Sequence, residues 1–230
     1  MTADNAPLTI APTRRGRRLL WGLLALVAVA LALLGILSLL ESRREPSGRR
    51  TTIVTNGVSP SGQGSQVTPP RPLDDFTLTS QTGTPVALHE LRGKAVLLFF
   101  GFTNCPNICP TTLSEFRSVK RGLGADAEKL AVVFVSVDPE QDTIERLRQY
   151  VGTFDPGFIG LRGDQATLAK IGPQYDLYYQ RQPLGDGTYT VDHTAISYLI
   201  DPSGKLRTIY PYGTPAAALT TDIRALLAQP

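Results

Sequence analysis

The chain has 230 residues, 42% of them apolar and 19% charged, which is enough for one packed domain plus an appendage and is not the composition of a disordered chain. Its formal charge of +3 divides unevenly. Residues 1–71 carry nine Arg against Asp4, Glu41 and Glu45, a net of +6, whereas residues 72–230 carry a net of −3. The larger part therefore offers no basic face for nucleic acid, and the cationic excess flanks an apolar stretch instead.

In chain order, residues 1–18 read as a cytoplasmic tail, followed by LLWGLLALVAVALALLGILSLL over 19–40, 22 residues without a charge. As a helix this stretch reaches about 33 Å, enough for a bilayer core of about 30 Å. The Ala-x-Ala triplets that a cleaved signal peptide requires lie inside the apolar run, so an uncleaved transmembrane anchor is expected. Arg14, Arg15, Arg17 and Arg18 before the span balance Arg43, Arg44, Arg49 and Arg50 after it, so charge alone does not orient it. Residues 41–70 contain Ser-Gly, Gly-Gln-Gly and Pro-Pro with few large apolar residues and read as a flexible linker.

The folded domain is expected over 71–230. Phe76–Ser80 and Pro85–Leu88 form a first hairpin across Gln81-Thr82-Gly83-Thr84. Ala95–Phe100 and Leu130–Val137 are uninterrupted apolar runs, as strands buried on both faces should be. Pro110–Leu123 reads as a helix with Pro at its first position, and Asp142–Val151 as a helix with an acidic start. Phe158–Leu161 is a short strand and Asp164–Ile171 a short helix. Ala195–Ile200 and Leu206–Tyr210 form a hairpin turning at Asp201-Pro202-Ser203-Gly204, and Thr214–Leu227 a closing helix. This order predicts an α/β thioredoxin-like fold, in which a parallel βαβ half joins an antiparallel ββα half.

The two cysteines of the chain, Cys105 and Cys109, fall between the first core strand and its helix. A helix N-terminus there favours thiolate, which is both the nucleophile and the metal-binding form. Three intervening residues, Pro106, Asn107 and Ile108, make a wider loop than thiol reductants of this fold use, one able to bend both sulfurs toward one point. Two soft thiolates suit Cu(I) or zinc. His193, read as the head of the strand 195–200, is placed by the fold against the cysteine loop and completes a Cys₂His set. His89, in a polar connector, reads as a solvated loop residue. A plain structural disulfide and a hydrogen-bonded structural histidine are the competing readings.

GFTNCPNICPTTL (101–113), VVFVSVDPEQDT (132–143) and VDHTAISYLIDPSGKL (191–206) resemble the Sco/SenC family of copper chaperones, and the resemblance extends over residues 72–230. It implies one copper ion, Cu(I) or Cu(II), held by Cys105, Cys109 and His193, and delivery to the dinuclear copper centre in subunit II of cytochrome c oxidase. It also implies that Cys105 and Cys109 can form a redox-active disulfide, so that an extracytoplasmic thiol reductant, or another copper donor, is an expected partner. Asn107 stands where the family loop often has Asp. Asp138, at the end of the second core strand, is expected either to orient His193 or to meet a partner, unless it is a turn aspartate before Pro139. Exported copper chemistry places the domain outside a bacterial plasma membrane, with the anchor at 19–40 and the tail inside. The alternatives are an extracytoplasmic thiol–disulfide oxidoreductase, which would not need His193, and a copper or redox sensor using the same ligands.

Overall fold

The computed structural model describes residues 29–31, 33–35, 55–185 and 187–229. The chain divides into two compact units, Met1–Arg49 and Arg50–Pro230. In the first, residues 29–31 and 33–35 are helical, with Val29, Leu31, Leu33 and Leu34 exposed. The expected tail at 1–18 and the rest of the expected span at 19–40 lie outside the described residues. Among the described residues no helix is long and apolar enough to cross a membrane.

The second unit is built on a nine-stranded sheet. Its strands are β1 (Thr55–Val58), β2 (Ser65–Pro72), β3 (Thr77–Ser80), β4 (Pro85–Ala87), β5 (Ala95–Gly101), β6 (Leu130–Ser136), β7 (Ile159–Arg162), β10 (Ile196–Ile200) and β11 (Lys205–Pro211). They lie in the order β1-β2-β11-β10-β5-β6-β7-β3-β4. β5, β6 and β7 run parallel, and β10 pairs antiparallel with β5. β8 (Tyr179–Pro183) and β9 (Tyr189–His193) form a separate two-stranded ribbon. Four helices accompany the strands: α1 (Ile108–Leu123), α2 (Ile144–Phe154), α3 (Gln165–Ile171) and α4 (Ala216–Leu227).

Every residue of β5 and of β6 is buried, so these central strands read as unbroken apolar runs. Side chains alternate across a strand. Phe99 meets Phe116 of α1 on one side of the sheet, edge to face at 6.4 Å. Phe100 meets Tyr175 and Tyr198 on the other, at 5.0 and 6.1 Å. α1 buries Leu113, Phe116, Val119 and Leu123 at helical spacing. It also accepts α4 at close range, where the Glu115 carboxylate caps the Ala216 N–H at 2.9 Å and Arg224 donates to the Gly122 carbonyl at 2.6 Å. α2 lies on β7, where a Cβ at Gly160 would come within 2.8 Å of Leu147.

Three expectations need correction. The folded unit does not begin at 71, because β1 and most of β2 occupy 55–58 and 65–70 of the expected linker, of which 41–54 lies outside the described residues. Pro69, Pro70 and Pro72 cannot donate to a ladder, yet β2 pairs with β11 on one side and meets β1 only at Thr55↔Val67 and Val58↔Ser65. Prolines are tolerated where a strand has a free side. Gly62-Gln63-Gly64 turns this β1–β2 hairpin, with Ser61 fixed to the Asp222 carboxylate through its N–H and hydroxyl. Second, α1 begins at Ile108, not Pro110, so Pro110 is the third helical residue and Cys109 belongs to the first turn. The first four N–H groups of a helix have no partner inside it, so proline fits there. Third, His193 does not head a core strand. It ends β9, in a ribbon whose strands carry too few buried apolar residues to show in the sequence.

Candidate metal centre

β5 ends at Gly101, and the chain turns through Phe102, Thr103 and Asn104 to Cys105 before α1 starts. Glycine is required at this point: a Cβ there would stand 2.8 Å from Cys109 Sγ and 2.8 Å from the Phe134 ring. The Cys105 N–H closes the turn on the Phe102 carbonyl at 3.3 Å. A buried carboxylate then holds the loop from below. Asp142 is fully buried and accepts from Thr103 Oγ1 at 2.6 Å, from the Thr103 N–H, and from Ser136 Oγ at 2.6 Å. Arg146 ties the same loop from α2, through Thr103 Oγ1 at 2.7 Å and Asn104 Oδ1 at 3.2 Å. Asp142 was expected as the acidic start of a helix. Thr143 is the N-cap instead, and Asp142 points inward. Burial pushes its carboxyl above the usual range, against the pull of its hydrogen bonds from Ser136 and Thr103.

The structure brings together the three residues singled out as ligands. Cys109 Sγ lies 3.7 Å from His193 Nε2, and the three donor atoms, two Sγ and one imidazole nitrogen, all lie within 4.8 Å of one another. Donors bound to one ion at about 2.0–2.3 Å in tetrahedral or trigonal array stand about 3.3–4.0 Å apart, so the set needs only a small contraction to close on one ion. The other imidazole nitrogen, Nδ1, faces the Thr194 carbonyl at 3.1 Å. A proton donated there leaves the Nε2 lone pair directed at the sulfurs. The ring is held edge-on by Phe99 and Phe102, each with its centroid 5.8 Å away.

The thiols are free and unlike each other, Cys109 buried and Cys105 half-buried. The Cys109 thiol donates toward Cys105 Sγ, and the Cys109 N–H, at 3.4 Å, adds to this, as does the His193 ring when Nε2 also carries a proton. Together they lower the Cys105 thiol to about 4 despite its burial. The same hydrogen bond, then burial, then the charge on Cys105, push the Cys109 thiol upward. The pair gives up its first proton readily and holds the second strongly. A bound cation replaces that second proton, and a half-exposed thiolate is also a competent nucleophile.

The other sequence candidates lie elsewhere or act differently. His89 is exposed, in a 3₁₀ turn at Leu88–Leu91, with Nδ1 paired to Asp75 at 2.6 Å. Asp138 does not contact His193, whose Nδ1 is taken by Thr194, and at 1% exposure it presents no surface to a partner. It accepts instead from Tyr189 Oη at 2.9 Å and from Arg181 Nη2 at 3.2 Å, both on the ribbon. Sequence reasoning missed Asp142 and Gly101. The only sequence signal for either was the glycine closing an apolar strand four residues before Cys105.

A parallel βαβ half joined to an antiparallel ββα half, with two thiols at the strand–helix junction and an imidazole facing them, defines a thioredoxin-like protein with a soft metal site. Residues 66–228 match the family model described as SCO1/SenC, and the chain belongs to that family. The mitochondrial SCO2 homolog of Bos taurus is 36% identical over 157 residues, 67% of this chain and 59% of the relative. The structure of Bradyrhizobium japonicum ScoI with copper bound is 40% identical and covers 67% of this chain and 99% of its own, with a TM-score of 0.63. BsSco, described with a disulfide switch as a member of the Sco family of cytochrome c oxidase assembly proteins, is 26% identical and covers 69% of this chain and 94% of its own, with a TM-score of 0.55. The chain spans about three fifths of the length of the curated relatives it matches.

Proposed function

We propose that this chain is a copper chaperone, binding one copper ion through Cys105, Cys109 and His193 and passing it to the dinuclear copper centre in subunit II of cytochrome c oxidase. The observation that carries the reading is the convergence of two sulfurs and one imidazole nitrogen within 4.8 Å. The copper bound in the Bradyrhizobium japonicum relative and the assembly role attached to BsSco support it. Soft thiolates hold Cu(I), and an imidazole extends the set to Cu(II). Cys109 is buried and Cys105 half-exposed, so an incoming client thiolate replaces Cys105 first and Cys109 last. Both thiols must be reduced before loading, which calls for an extracytoplasmic thiol reductant, or a donor that delivers copper to the reduced pair.

Residues 19–40 serve in this reading as a single-pass anchor in a bacterial plasma membrane, with the tail inside and the domain outside. The uncharged length of that stretch and its exposed helical residues Val29, Leu31, Leu33 and Leu34 support it.

The test loads the full chain with Cu(I), mixes it with the reduced, metal-free copper domain of subunit II, separates the two and measures copper in each. Transfer of one equivalent per chain, lost in Cys105→Ser, is expected. Retention of copper by the chain, or transfer equal to that from free Cu(I), would overturn the reading.

A second reading rests on the low thiol of half-exposed Cys105 beside buried Cys109. In thiol–disulfide exchange the Cys105 thiolate attacks a client disulfide and releases one client thiolate, and Cys109 then resolves the mixed disulfide. The client gains two electrons, and Cys105 and Cys109 form the disulfide. This activity needs no imidazole, so it survives His193→Ala, whereas Cu(II) binding is weakened.

A further inference from the structure

The histidine of the site has a different support from its cysteines. β8 and β9 pair with each other and with no other strand among the described residues, and His193 is the last residue of β9, opposite Tyr179. Beside the packing of Val191 into the core, two hydrogen bonds that fasten this ribbon to the body meet on one atom. Asp138 Oδ1, just past the end of β6, accepts from Tyr189 Oη of β9 at 2.9 Å and from Arg181 Nη2 of β8 at 3.2 Å. Arg181 also donates to Glu140 Oε2 at 2.6 Å, and its guanidinium lies 4.7 Å above the Tyr189 ring. Asp138 is itself 1% exposed, with its N–H on Ser136 Oγ at 3.1 Å. Ser136 donates in turn to Asp142, the carboxylate beneath the cysteine loop. Both halves of the site are therefore referred to the end of the same strand: the cysteine loop through Asp142, the ribbon through Asp138.

We propose that Asp138 is a positioning residue of the metal site, latching the ribbon through Tyr189 and Arg181 so that the His193 imidazole stands within bonding reach of the two thiols. The inference rests on the copper-binding reading. Its consequence is specific to oxidation state. Two thiolates alone satisfy Cu(I), whereas Cu(II) needs the nitrogen donor, so loosening the latch removes Cu(II) and spares Cu(I).

The experiment compares the reduced full chain with Tyr189→Phe, Arg181→Gln and Asp138→Asn. Cu(I) affinity is read by competition with a chromophoric chelator, and Cu(II) by its thiolate charge-transfer absorption and electron paramagnetic resonance. Each variant is also made in a His193→Ala background. A Cu(II) affinity loss of about 10- to 100-fold, the usual cost of losing a residue that supports a ligand, is expected, with Cu(I) affinity changed by less than about threefold. In the His193→Ala background the latch variants should add nothing, because non-additivity marks residues acting through one another. Equal losses for both oxidation states, or an effect that persists without His193, would overturn the proposal and leave Asp138 a general structural residue. Should Asp138→Asn fail to fold, Tyr189→Phe and Arg181→Gln, which alter half-exposed side chains, decide the matter. A parent that takes up no copper at all would instead sink the copper reading. The metal-free chain still tests the latch in that case: the amide resonances of residues 190–194 shift or broaden in the variants if the ribbon is released, and stay unchanged if it is not.

Discussion

The two cysteines and the histidine stand on supports of different kinds. Cys105 and Cys109 lie between β5, the centre of the nine-stranded sheet, and α1, which buries Leu113, Phe116 and Val119 against it. His193 ends a two-stranded ribbon with one fully buried apolar residue, Val191, and a polar latch. The first support is held by a core of large side chains that move only with the whole domain. The second is held by a few hydrogen bonds, each worth about 1 kcal/mol. The three candidate ligands are thus divided, two on a rigid frame and one on a part that can give way.

The sharpest way to break this comparison is to remove ligands one at a time. Cys105→Ser and Cys109→Ser should each lower Cu(I) affinity by more than about a hundredfold, beyond the loss a merely supporting residue causes. His193→Ala should lower Cu(II) affinity by at least as much as any latch variant and cost Cu(I) only about tenfold, both read by chelator competition. Equal Cu(I) losses in all three variants would erase the distinction. Next in size is the frame itself. Leu113→Ala should cost about 2–5 kcal/mol of stability, seen as a lower urea midpoint with an unchanged slope. Tyr189→Phe on the ribbon should cost about 1 kcal/mol or less. A third comparison addresses the floor of the cysteine loop. Asp142→Asn turns an acceptor into a partial donor facing the Ser136 and Thr103 hydroxyls, and should cost about 1–3 kcal/mol in the same measurement. The smallest expected change is one of pH. Because the Cys105 thiol is lowered to about 4, its thiolate persists as pH falls from 8 to 6. Its alkylation by iodoacetamide should therefore slow by less than about threefold over that interval, where an unperturbed thiol slows by about a hundredfold. A hundredfold fall at Cys105 would show that neither Cys109 nor His193 stabilises the thiolate.

The same division explains how much of the molecule was legible in its sequence. β5, β6 and α1 announced themselves because burial on both faces, or along one helical stripe, leaves an apolar run or a 3.6-residue period. The sulfur pair was legible for the same reason, since it sits where two such elements meet. The ribbon strands YQRQP and YTVDH bury Val191 alone, so nothing in them distinguishes a strand from a loop, and His193 was assigned to the wrong element. β2 hid behind three prolines, which are tolerated because β1 pairs only its earlier residues, up to Val67. In VDPEQD both aspartates are plausible turn residues. Only the packing shows that Asp142 faces the cysteine loop and Asp138 the ribbon. Spacing located the candidate ligands but not the polar groups that hold them.

The most direct test of a Cys₂His copper site is X-ray absorption at the copper edge on the reduced full chain loaded with one equivalent of Cu(I), beside His193→Ala. Two sulfur scatterers and one imidazole nitrogen are predicted, with the imidazole outer-shell pattern missing from the variant. A sulfur-free shell, or an imidazole pattern that survives His193→Ala, would contradict the account.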